Sequence, residues 1–128
     1  MKTKFNSQIC TTREQSESLL ALGLRKETAD MMWANCKGNS SGTTYYLAVG
    51  TPHYNCDIPA WSLHRLIEMM PKEINRCNNF YLLLVSKENV FYQTGHPPFR
   101  HHDSLYDNII DCIEWLIKEG YFNKEYLV

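Results

Sequence analysis

Ser104-Leu-Tyr-Asp-Asn-Ile-Ile-Asp-Cys-Ile-Glu-Trp-Leu-Ile-Lys-Glu-Gly120 carries the strongest helical pattern in the chain. Its apolar residues recur at the spacing of one helix face, and they are Leu105, Ile109, Cys112, Ile113 and Leu116. Asp103 or Ser104 is the expected N-cap, and Gly120 is the expected stop signal. An amphipathic helix needs an apolar surface to pack against, so the rest of the chain must supply one.

Two further helices are predicted near the N-terminus. The first begins after Thr11 or Thr12, each of which starts a capping box, and it ends at Gly23, a residue suited to a left-handed C-terminal position. The second is expected from Lys26 to Cys36. Its apolar stripe at helical spacing consists of Ala29, Met32, Trp33 and Cys36. Together the two would form a helical hairpin with a short connection.

A fourth helix is expected in the middle of the chain. Pro59 suits its first turn or the segment just before it, and Pro71 stops it. The apolar stripe of this helix consists of Leu63, Leu66, Ile67 and Met70.

Three strands complete the predicted fold. Thr43–Val49 is rich in β-branched and aromatic residues, and Phe80–Val85 and Asn89–Thr94 form a hairpin around Ser86-Lys-Glu88. Phe80–Val85 is almost continuously apolar, which predicts a central strand. The fold class is therefore α+β in the order α-α-β-α-β-β-α, with a small, largely antiparallel three-stranded sheet covered by helices. Residues 1–128 are expected to form one domain with an N-terminal extension over 1–10; the place of the first strand stays open.

Composition narrows the function classes. The 128 residues contain 13 basic and 14 acidic side chains, a net charge of −1 that does not favour nucleic-acid binding. No apolar run approaches the roughly 18 residues of a membrane span, and no secretory signal is visible. The cysteines lack any CxxC spacing, and they are Cys10, Cys36, Cys56, Cys77 and Cys112. Free thiols in a reducing cytoplasm are the expected state.

The densest group of possible metal ligands is the segment from His96 to Asp103. His96, His101 and Asp103 could ligate zinc or another divalent ion. The adjacent His101 and His102 would point to opposite sides of an extended backbone, however, and Asp103 already has a role near a helix start. An exposed loop is therefore favoured over a metal site, and no cofactor is expected.

A second catalytic hypothesis concerns the segment from Thr51 to Asp57. It contains His53, Cys56 and Asp57, the residue types of a thiol nucleophile with its base and orienting group. No family signature surrounds Cys56, and the common nucleotide-binding and hydrolase motifs are absent from the sequence.

A DNA-binding hypothesis follows from the predicted helical hairpin over residues 12–36. Arg25 and Lys26 would stand at the start of its second helix, where they could contact phosphates. Glu27 and Asp30 lie in the same turns and would repel phosphates. DNA binding is therefore ranked third, after a protein-binding module and a metal-assisted or Cys/His hydrolase.

Several stretches together resemble a known family: Thr12-Arg-Glu-Gln-Ser16, Leu22-Gly-Leu-Arg-Lys-Glu-Thr-Ala-Asp-Met31, Ile58-Pro-Ala-Trp-Ser-Leu63 with Met70-Pro71, and Asp107-Asn-Ile-Ile-Asp-Cys-Ile-Glu-Trp-Leu116. The family consists of short proteins of gut anaerobic bacteria, often encoded in prophage-like or mobile elements. No activity, cofactor or catalytic residue is established for it. The resemblance implies a cytoplasmic accessory protein of a mobile element.

The leading functional expectation is a non-enzymatic module that binds another macromolecule, most simply a protein. The alternatives are a metal-assisted or Cys/His hydrolase using the His96–Asp103 loop or Cys56, and a DNA-binding accessory protein using Arg25 and Lys26.

Overall fold

The computed structural model describes residues 8–35, 45–52, 57–87, 89–93 and 104–128. Its helices are α1 (Arg13–Ala21), α2 (Leu63–Met69) and α3 (Leu105–Glu119). Its strands are β1 (Met31–Asn35), β2 (Tyr45–Val49), β3 (Ile58–Ala60), β4 (Glu73–Arg76), β5 (Asn79–Val85) and β6 (Val90–Tyr92). Short 3₁₀ turns cover Lys26–Thr28 and Lys124–Tyr126. The predicted α+β class is confirmed.

The strands form two antiparallel sheets of three strands each, where one sheet was predicted. The first has the order β2-β1-β3, and the second has the order β4-β5-β6. In the first sheet Met32 lies opposite both Ala48 and Pro59. In the second sheet Leu82 lies opposite Glu73, and Leu84 lies opposite Phe91. The predicted hairpin of the last two strands is thus confirmed, and Phe80–Val85 lies in a central strand as expected.

The predicted helix from Lys26 to Cys36 is wrong. One 3₁₀ turn ends at Thr28, and β1 then runs through the centre of the first sheet. Met32 and Ala34 are buried, at the two-residue spacing of a strand face. This short apolar run fits both periods, and pairing with β2 and β3 selects the strand because it satisfies the backbone on both sides. Cys36 lies outside the described residues.

Two strands escaped the sequence prediction. Pro59 lies in the segment before α2, one of its two predicted places, and that segment is β3 at the edge of the first sheet. β4 joins β5 through Cys77 and Asn78, whose φ angles of 53° and 64° fall in the left-handed region. Two such residues make the tight turn that matches the twist of a hairpin. Cys-Asn differs from the Asn-Gly and Asp-Gly pairs that usually announce this turn, so β4 gave no recognisable signal.

The predicted first and last helices are confirmed, the first with both of its end signals and the last with its C-terminal glycine. Ser104 stands at the N-cap position of α3, but its side chain makes no capping hydrogen bond. Thr12 caps α1 in a capping box with Gln15, and the N–H of Leu24 donates to Leu19 after the left-handed Gly23. Gly120, at φ +81°, ends α3 in the same way. The predicted middle helix is confirmed as α2, with Ser62 as its N-cap.

The main core lies around α3, which contacts α1 and β6. Ile109, Ile113 and Leu116 on α3 are fully buried. Trp115 lies against the aromatic rings of Tyr92 and Tyr121, at centroid distances of 6.3 and 5.6 Å. One face of the second sheet is therefore covered by α3 and the residues that follow it.

Candidate interaction face

Most of the catalytic and metal candidates from the sequence lie outside the described residues; Asp57 is described and lies half-buried directly before β3. His96, His101 and Asp103 fall within 94–103, and Cys56 falls within 53–56, and both ranges lie outside the described residues. Within the residues that are described, no group of three or more His, Cys, Asp or Glu side chains could hold a metal ion. The hydrolase hypotheses thus stay predictions.

The helical hairpin behind the DNA hypothesis is not formed. Arg25 and Lys26 are exposed, but a 3₁₀ turn and a strand follow them where the recognition helix was expected. The N–H of Arg25 donates to the carbonyl of Tyr126 at 2.8 Å, which ties this turn to the C-terminal segment. The geometry that would have placed these two cations in a groove is absent from this part of the chain.

A polar network joins the N-terminal segment, the turn before β1 and the start of α2. The Asp30 carboxylate accepts hydrogen bonds from the N–H of Ser62, at 2.9 Å, and from its hydroxyl. The Trp61 indole N–H donates to the Thr28 hydroxyl at 3.0 Å, and the Arg65 Nε–H donates to the Thr28 carbonyl at 2.8 Å. These groups hydrogen-bond to one another, so the network holds the turn before β1 against the start of α2. Its bonded donors and acceptors are not presented to a ligand.

Three acidic side chains line a shallow cleft between α1 and α3. They are Glu14, Asp107 and Asp111, beside Gln15 and Ser18. The Gln15 amide donates to Asp107 Oδ1 at 2.7 Å, so this carboxylate ties the two helices together. The cleft does not bring its carboxylates into a ligand set for a metal.

Buried thiols mark the core and not a reactive site. Burial, with a smaller contribution from Asp30, raises the pKa of Cys10 to about 11. Burial, with a smaller contribution from Asp111, raises the pKa of Cys112 to about 12. Thiolate is the nucleophilic form, so both residues are inert at neutral pH.

Alkaline pH is therefore expected to destabilise the fold. Both thiols ionise near pH 9 in the unfolded chain and at higher pH in the folded one, so the folded state binds more protons between these values. The contribution of these thiols to the free energy of unfolding should be constant below about pH 9 and should fall from there toward pH 11–12. Burial also raises the pKa of the Tyr92 and Tyr106 hydroxyls, so these two groups add to the fall at the alkaline end. Urea unfolding at a series of pH values measures this. A Cys112→Val variant should show a shallower fall, and an equally steep one would contradict the assignment.

One side of β5 in the second sheet carries a row of exposed apolar side chains. Along β5 the side chains alternate, so that Tyr81 and Leu83 pack against the core while Phe80, Leu82 and Leu84 point the other way. The exposed fractions of these three side chains are 65%, 42% and 40%. We call the surface formed by Phe80, Leu82 and Leu84, with the neighbouring residues on β4 and β6, the outer face.

The residues of the outer face that flank the apolar row, on β4 and β6, carry little charge. On β4, Glu73 lies opposite Leu82 and Asn75 lies opposite Phe80. On the other side, Phe91 of β6 lies opposite Leu84, and the N–H of Gln93 donates to the carbonyl of Leu82. Glu73 is thus the one charged residue among the described members of the outer face.

Sequence reasoning identified the strand but not this surface. The near-continuous apolar run of Phe80–Val85 predicted a central strand, and β5 is central. The run did not show which side of the strand packs against the core. A signal for this surface was nevertheless present in the sequence. A strand with one solvated face carries polar residues at every second position, and β5 has Phe80, Leu82 and Leu84 there instead.

No protein-family model, curated protein or solved structure gives a match to this chain. The fold and the outer face are therefore the observations from which a function can be argued. Of the helices that the structure describes, none combines the length and apolar character needed to cross a bilayer.

Proposed function

We propose that the chain is a protein-binding module whose binding surface is the outer face of the second sheet. The observation that carries the proposal is the row of Phe80, Leu82 and Leu84 along one strand. These side chains are exposed, while Tyr81 and Leu83 on the other face of the strand pack against the core. Single exposed apolar residues are ordinary, but a contiguous row with a polar rim is typical of interaction sites.

The charge of the outer face favours protein over nucleic acid. A nucleic-acid surface needs basic side chains to neutralise phosphates. The described part of the outer face carries Glu73 and no Lys or Arg. An apolar protein surface is the matching partner. The expected role is that of a non-enzymatic cytoplasmic accessory protein, within a mobile element if the family resemblance holds.

A charge placed at the centre of the outer face tests the proposal. Leu82→Arg should abolish binding because the guanidinium, together with the Glu73 carboxylate opposite it, would have to give up its water on association. Val49→Arg is the matched control: Val49 is 83% exposed on β2, in the other sheet. Wild type and both variants are immobilised at equal loading and exposed to an extract of the source cells and to untagged chain.

The expected result is at least one protein retained by wild type and Val49→Arg but lost with Leu82→Arg. Circular dichroism spectra of all three should agree, because both substituted side chains project into solvent. Equal retention of every bound protein by the three chains would overturn the proposal.

A further inference from the structure

We infer that the occupant of the outer face is a second copy of this chain, packed sheet against sheet. The inference rests on the proposed function and names its partner. It follows from the symmetry of the outer face, from the position of its one charge, and from its area.

The row of apolar residues is centred on Leu82. Phe80 and Leu84 lie two residues to either side of it, so a two-fold axis passing over Leu82 brings apolar side chains together along the whole row. Facing sheets of this kind pack about 10 Å apart with strands nearly aligned. A single surface can therefore serve as both halves of the contact.

The position of Glu73 decides between two orientations of the two-fold axis, across the strands or along them. If the axis ran across the strands, β4 would lie over β4 of the second copy, and the two Glu73 carboxylates would meet because each is level with Leu82. If the axis runs along the strands, β4 lies over β6 of the second copy. Glu73 then faces Gln93 of the second copy, an amide that is also level with Leu82. The second arrangement avoids the repulsion, so β5 should run parallel to its counterpart.

The available area predicts a reversible dimer. β5 has seven residues, but β4 has four and β6 has three, so at about 3.3 Å per residue and about 4.8 Å between strands the face covers roughly 220 Å² before the relief of its side chains is counted. With that relief, two such faces bury less than about 1,000 Å² in total, which is the size of weak, transient interfaces. Self-association in the micromolar range or weaker is the expected consequence.

Sedimentation velocity over a micromolar concentration series tests the inference on the full chain. Wild type and Val49→Arg should shift from monomer toward dimer as the concentration rises. Leu82→Arg should associate at least about tenfold more weakly, because two guanidinium groups, each beside a Glu73 carboxylate, would have to lose their water at the axis. A wild-type chain that stays monomeric throughout, or a Leu82→Arg variant that associates like wild type, would overturn the inference.

Cross-linking tests the direction of packing. Cys77 is exposed, so Leu84→Cys is made in a Cys77→Ser background. The parallel arrangement sets position 84 against position 84 across the roughly 10 Å between the sheets, which is beyond the reach of a disulfide. A short bis-maleimide should therefore give more linked dimer than it gives with the Cys77→Ser parent or with Val49→Cys in the same background. No increase in a chain that sediments as a dimer would overturn the parallel arrangement.

The two proposals fail in different ways. If the chain is monomeric but retains a foreign protein through Leu82, the protein-binding face stands and the second copy is ruled out as its occupant. If nothing, including untagged chain, depends on Leu82, both are overturned.

Discussion

Trp61→Ala is expected to lower the free energy of unfolding by about 3–5 kcal/mol, the usual loss for a large aromatic removed from a core. Trp61 follows β3 and precedes α2 in the chain, and its side chain is fully buried. Its indole N–H donates to the Thr28 hydroxyl, and its backbone N–H donates to the Thr11 hydroxyl, both at 3.0 Å. One substitution therefore opens a cavity and leaves a buried hydroxyl without its donor.

Urea unfolding measures the loss, and Trp61→Phe separates its two parts. Phenylalanine fills most of the volume but cannot donate to Thr28, so a smaller loss of about 1–3 kcal/mol is expected. A Trp61→Ala protein within about 1 kcal/mol of wild type would contradict the described packing.

Asp30→Ala should lower the free energy of unfolding by about 2–3 kcal/mol. The Asp30 carboxylate accepts two hydrogen bonds from Ser62, the residue that caps α2. Hydrogen bonds to a charged group are stronger than neutral ones, and the variant leaves both Ser62 donors unpaired in a half-buried place.

Asp30→Asn is the matched control for the Asp30 prediction. It keeps the shape and one acceptor oxygen for the Ser62 N–H, so roughly half the loss is expected. Denaturant unfolding of both variants measures the two losses in the free energy of unfolding. An unchanged stability for Asp30→Ala would mean that the contact between Asp30 and Ser62 does not hold α2 in place.

The sequence predicted the elements that carry their own end signals. α1 has a capping box and Gly23, α3 has a long apolar stripe and Gly120, and β5 with β6 form a hairpin of local contacts. These features act within a few residues, so one sequence is enough to show them. Their boundaries in the structure follow the predictions closely.

The elements that were mistaken or missed depend on distant partners. β1 is a strand because β2 and β3 pair with it from both sides, and neither pairing is encoded near residues 31–35. The same residues fit a helical stripe equally well, so the local pattern could not choose between them. β3 is three residues long, and β4 ends in the uncommon turn at Cys77 and Asn78.

The outer face could not be predicted from the sequence for a related reason. A row of apolar side chains on β5 reads as core until it is known which side the helices cover. α3, through Trp115, covers the side of Tyr92. Only the three-dimensional arrangement shows that Phe80, Leu82 and Leu84 face away. The motifs that drew attention in the sequence, around Cys56 and from His96 to Asp103, lie outside the described residues.

The most direct test of the central claim, that the outer face is where the chain meets a second copy, is hydroxyl-radical footprinting of the unmodified chain at low and high concentration. Phe80 and Tyr46 are both exposed aromatic residues, 65% and 53%, on different sheets, so Tyr46 is an internal control. We predict that oxidation of Phe80 falls at high concentration while that of Tyr46 does not change. Equal oxidation of Phe80 at both concentrations, or a parallel fall at both residues, would contradict the claim.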